Sequence, residues 1–157
     1  MNEVHRPVMP PSRWARAVRL APAVWAGVLL CVALIATPAP FATLPRAQAG
    51  AVVAHIFVRE AWGGLVLALM LLAWARRRAR DAAEAGTGSQ FSGEMVLLLG
   101  TVFLTVLGYF ALQPMLPAAR AGQGPFSFGQ LHAFSSLCFA LKTLLWLVLA
   151  WRVADRG

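Results

Sequence analysis

The stretch AHIFVREAWGG, residues 54–64, sets a histidine, an arginine and a glutamate within six positions of an otherwise apolar run. Ionisable groups are expensive in hydrocarbon, so they are kept there to pair with one another or to act on something. His55 and Arg59 are four residues apart and share a helical face, while Glu60 lies about 100° round from Arg59. Further along, His132, Ser135, Ser136 and Phe139 form a second stripe, and Lys142 is the only lysine of the chain. The two histidines admit three chemistries. They can be interfacial residues hydrogen-bonded to carbonyls or water. They can bind a transition metal, with Met115 or Cys138 as softer ligands suited to reduced copper. They can also be the axial ligands of a haem b held between two helices. For the charged residues, the expected arrangement is a Glu60–Lys142 bridge, with Arg59 extending its guanidinium toward the outer interface. A proton relay through Glu60 is a further use of the same carboxylate.

Other chemistries find no residues to carry them. No phosphate-binding glycine loop, dinucleotide fingerprint or Ser/His/Asp set is present, and no catalytic residue is assigned. Cys31 and Cys138 both fall in apolar segments without zinc-type spacing, so they read as buried free thiols.

The elements that must position these groups are membrane helices. Of 157 residues, 59% are hydrophobic and 13% charged, against about 25% charged in a soluble domain. A membrane helix needs roughly 20 mainly apolar residues. Four segments qualify, at residues 20–38, 51–75, 95–116 and 130–151, the first closed by TPAP and the third by Pro114 and Pro117. The expected organisation is a basic segment 1–18, a four-span bundle over 19–152 and a tail 153–157. The loop DAAEAGTGSQFSG between the second and third spans reads as a flexible connector. The basic start and the AQAG sequence at 47–50 also resemble a signal peptide, but the apolar core is long and the first span is expected to stay.

The arginines give a direction. Arg6, Arg13, Arg16, Arg19, Arg76, Arg77, Arg78, Arg80, Arg152 and Arg156 flank one side of the spans, against Arg46 and Arg120 on the other. This bias places both termini and the middle loop in the cytoplasm. It also explains the +8 formal charge better than a nucleic-acid partner does, because the arginines sit at span ends and not along one face. In this orientation His55 falls about four residues inside the second span and His132 about two inside the fourth, so their depths are expected to agree within about one helical turn. A polar cluster in the outer third of the bundle follows. On the third span, Gly100, Thr101, Thr105 and Gly108 are spaced for close helix packing, as is GGLVLA on the second.

The residues PAPFATLPRAQAGAVVAHIFVREAW, 38–62, resemble the signature of the membrane proteins grouped as domain of unknown function 4149, which include transmembrane protein 205-like proteins. FGQLHAFSSLCF, 128–139, is similar to the family's last-helix pattern. The resemblance implies a four-helix integral membrane domain, akin to copper-resistance-D-like proteins and more distantly to small haem-binding membrane proteins. It implies an association with metals, favouring His55 and His132 as a site, although the sequence has no dense Met/His array and no first-span histidine.

The expectation is therefore an all-α, four-span protein of a bacterial inner membrane, in contact with the lipid bilayer. It handles copper or haem through His55, Arg59, Glu60 and His132. Alternatively, it is a non-catalytic accessory or assembly subunit whose polar groups meet partner subunits or further copies of the chain.

Overall fold

A computed structural model describes residues 13–155; Arg6 and Arg156 lie outside them. The described residues form only helices: α1 (Arg13–Cys31), α2 (Pro38–Thr43), α3 (Arg46–Glu84), α4 (Gly93–Thr105), α5 (Leu116–Arg120) and α6 (Phe128–Ala154). Four continuous helical paths are long and apolar enough to cross a membrane: Arg13–Thr43, Arg46–Glu84, Gly93–Arg120 and Phe128–Ala154. The protein is an all-α membrane bundle of four spans.

Each path runs further than its apolar segment. The prolines expected to close the first and third spans do not end the helical path. A π-helical turn, Val32–Ala36, precedes Pro38, which opens α2 at a first-turn position. Proline is harmless there because a first-turn N–H has no helical partner to lose. The third span repeats this device. A π-helical stretch, Val106–Ala111, and a single tight turn, Gln113–Met115, lead into α5 with Pro117 in its first turn. The second span continues through Arg76–Arg80 to Glu84, so the start of the expected flexible loop is helical. It stops where Gly86, at φ 68°, lets the Thr87 N–H reach back to the Ala82 carbonyl. Gly122, at φ 74°, ends α5 in the same way. Polar caps fix two starts: Ser92 accepts from the Met95 N–H, and Ser127 and Gln130 form a reciprocal capping box on α6.

The fourth span packs against the first and the third, and the second packs against the third, while the first meets the second mainly through α2, with few contacts from α1. In lipid the hydrophobic effect does not drive helices together, so close packing of small and complementary residues must. The core shows this at the arginine-rich end, where Ala26, Ala68, Ala75 and Ala79 interdigitate with Leu29, Leu98, Trp146 and Leu149. Gly100 lies against Leu145, and Gly108 against Cys138, so close that an added Cβ would stand 2.8 Å from either side chain. Thr101, Thr105 and Thr143 are buried and return their hydroxyl protons to carbonyls one turn earlier on their own helices. Outward, every span exposes large apolar side chains, among them Leu34, Val66, Phe103 and Leu144. Such a surface belongs in contact with lipid.

Candidate functional site

Glu60 and Lys142 meet across the bundle. Lys142 Nζ donates to both Glu60 carboxylate oxygens at 2.9 Å, and both side chains are about 95% buried. The ammonium also sits 4.9 Å from the centre of the Phe139 ring. Three residues before each charge, Phe57 and Phe139 make an edge-to-face contact at 5.5 Å. Both contacts join residues 82 positions apart, and this common offset fixes the register of the second span against the fourth.

That register separates the two histidines. His55 is level with position 137, so His132 stands five residues, or about 7.5 Å, farther from the arginine-rich end. This exceeds one helical turn and corrects the expectation of a shared depth. The fault lay in where hydropathy placed the helix starts, because the helices begin at Arg46 and Phe128. The histidines also differ in surroundings. The His132 ring stacks on Phe128 at 5.7 Å, and the Arg120 guanidinium lies over the same Phe128 ring. His55 instead lines a cleft toward the first span. Cys138 is buried against Gly108, and Met115 lies in the tight turn that leads to α5. Among the described residues, no three His, Cys, Asp or Glu side chains form a group placed to hold a metal ion.

The cleft fills the gap where the first and second spans diverge. It has a volume of about 660 Å³ and is open to the side. Trp25, Val28 and Val32 form one wall; Val52, His55, Ile56, Arg59 and Glu60 form the other. Volume and lining fall in the range of small-molecule sites, mostly apolar with a few convergent polar groups. Its floor comes from Trp25, which the sequence reading did not single out. The Trp25 ring seats on Gly63 and Gly64: a Cβ on Gly63 would stand 2.8 Å from its edge. A Cβ on Gly64 would stand 3.2 Å from the indole nitrogen and 3.4 Å from Glu60 Oε1. The indole N–H and the ion pair therefore converge over this glycine. Trp25 Nε1 is buried and makes no hydrogen bond within the protein. The signal was present as a mid-span tryptophan in one helix and a Gly-Gly pair in the next.

Arg59 is the unusual member. Its side chain is exposed to the cleft and no described carboxylate pairs with it. Arg46 and Arg76 are thirty residues apart on one helix, about 45 Å, which matches the full thickness of a bilayer with its headgroups. Glu60 then falls close to the bilayer centre, and Arg59 about 20 Å below Arg46.

Comparison with curated proteins and with solved structures finds no match. A family model does match, over residues 20–124, which takes in the first three spans and the whole cleft but stops before Lys142 and the FGQLHAFSSLCF segment. Covering well over half of the sequence, this match shows that the chain belongs to the family described as domain of unknown function (DUF4149).

Proposed function

We propose that this integral membrane protein is a binding protein for an anionic amphiphile, a molecule with an apolar chain and a single acidic head that enters sideways from the bilayer. The observation that carries this reading is Arg59, a guanidinium without a counter-ion among the described residues, in the wall of a lipid-facing cleft. Leaving such a group bare at that depth costs several kcal/mol, by an amount that depends on bilayer thinning and water. An acidic head would offset the cost and accept two hydrogen bonds from the guanidinium fork. The Glu60–Lys142 pair closes the back of the cleft without net charge, which leaves Arg59 to set the preference for an anion. Val28, Val32, Val52 and Ile56 give the chain an apolar bed.

A haem-handling reading is favoured by one feature. His55 and Arg59 are one turn apart in the same wall, so an imidazole for the metal and a guanidinium for a propionate are both on offer. It calls for His55 as the sole histidine ligand, because His132 stands elsewhere. Copper handling would need donors beyond His55 in the cleft, and Met115 and Cys138 do not line it. The accessory-subunit reading gives the cleft to a partner helix bearing a carboxylate. We further infer from the arginine bias that the arginine-rich end faces the cytoplasm of a bacterial inner membrane.

The test is native mass spectrometry of the purified protein in mild detergent, titrated with a long-chain fatty acid and with the alcohol of equal chain length. The expected result is retention of the acid and not the alcohol, with at least tenfold weaker retention in Arg59→Gln. A Soret band that vanishes in His55→Ala would identify the amphiphile as haem. Equal retention of acid and alcohol by wild type and variant would overturn the reading.

A further inference from the structure

The geometry points to a second, separate lipid site: a pocket at the arginine-rich end that takes the phosphate group of an anionic glycerophospholipid. A cavity of about 70 Å³ opens there between the ends of all four spans. A space of that size holds a small group and not a whole headgroup. Arg19 of the first span and Arg78 of the second line it, over a floor that includes Leu98 and Leu149. Trp74 stands in the same wall, with the Arg78 guanidinium 4.7 Å over its ring. A tryptophan at this level is the usual membrane–water interface anchor. Arg78 lies two residues beyond Arg76, at headgroup depth by the same 45 Å span used above. Basic pockets between spans on this side suit lipid headgroups, each arginine adding about tenfold or less to surface attraction.

Glu94 of the third span lines the cavity too and has a partner of its own, so the two guanidiniums carry the attraction for an anion. The rest of the headgroup projects out of the pocket toward water, and the acyl chains run down the apolar outer faces of the first two spans.

The test compares two double variants with the same loss of charge. Delipidated protein is titrated with phosphatidylglycerol and the bound lipid counted by native mass spectrometry. Arg19→Gln/Arg78→Gln removes both lining guanidiniums, and Arg76→Gln/Arg77→Gln removes two exposed ones that do not line the cavity. The expected result is a loss of affinity on the order of tenfold or more for the first and less than twofold for the second. Equal losses would reduce the effect to diffuse surface charge and overturn the site, as would no loss in either. Inorganic phosphate is the headgroup-only arm. It is expected not to compete at millimolar concentration, and full competition would make this a soluble-anion site and not a lipid site.

Discussion

The two halves of this bundle are built by opposite rules. Toward the arginine-rich end the four spans close on small residues and leucines, and Ala68, Leu98, Trp146 and Leu149 are at most 2% exposed. In the other half a cleft lies between the first and second spans, and π-helical turns interrupt the first and third. The polar groups converge at the boundary between the halves. The closed half supplies the stability that lets the other half remain open and hold Arg59, His55 and an unpaired indole N–H in place. Interruptions of helical hydrogen bonding by π-turns are frequent at functional sites, and here they lie only in the open half among the described residues.

Substitutions that test this contrast are ordered by size. The largest effect is expected at the boundary. Lys142→Met strands a buried carboxylate and should cost about 3–5 kcal/mol in reversible unfolding in detergent, whereas Glu60→Gln/Lys142→Met should recover most of that loss. A single variant as stable as wild type would remove the ion pair from the account. Next comes a matched trimming of the two halves. Leu98→Ala opens a cavity in the closed half and should cost about 2 kcal/mol or more. Val52→Ala, in the cleft wall, should change stability by about 0.5 kcal/mol or less. Similar costs at the two sites would erase the distinction between halves. At the cleft floor, Gly63→Ala drives a methyl group into the Trp25 ring and should cost about 1–3 kcal/mol. Its signature is a shifted tryptophan emission, and an unchanged spectrum would mean that the ring is not seated there. The smallest effect is expected at the α6 capping box, far from the boundary, where Ser127→Ala should cost about 1 kcal/mol while leaving amphiphile retention intact.

The four spans could be read from the sequence because hydropathy over 20 residues is a strong, additive signal. Lys142 could be paired with Glu60 in advance because a lone lysine deep in an apolar run has few places to go. What hydropathy cannot report is where helices start. Arg46 and Phe128 begin helices five and two residues beyond the apolar segments, and that three-residue mismatch added about 4.5 Å to the relative depth of His55 and His132. The prolines misled for a related reason. Pro38, Pro114 and Pro117 were read as terminators, yet each stands in the first turn of a new helical stretch, where proline costs nothing. Trp25 was hidden because its role depends on the first span lying beside Gly63 and Gly64, a tertiary fact that no local pattern carries.

The central claim is that the open half holds an anionic amphiphile in the cleft between the first two spans. The most direct measurement is photolabelling of the protein in lipid nanodiscs with a fatty acid carrying a photoreactive group near mid-chain, followed by peptide mapping. The account predicts labelling concentrated on the cleft residues Val28, Val32, Val52 and Ile56 and lost in Arg59→Gln. Labelling spread evenly over outward residues such as Val66, Phe103 and Leu144, and unchanged in Arg59→Gln, would contradict it.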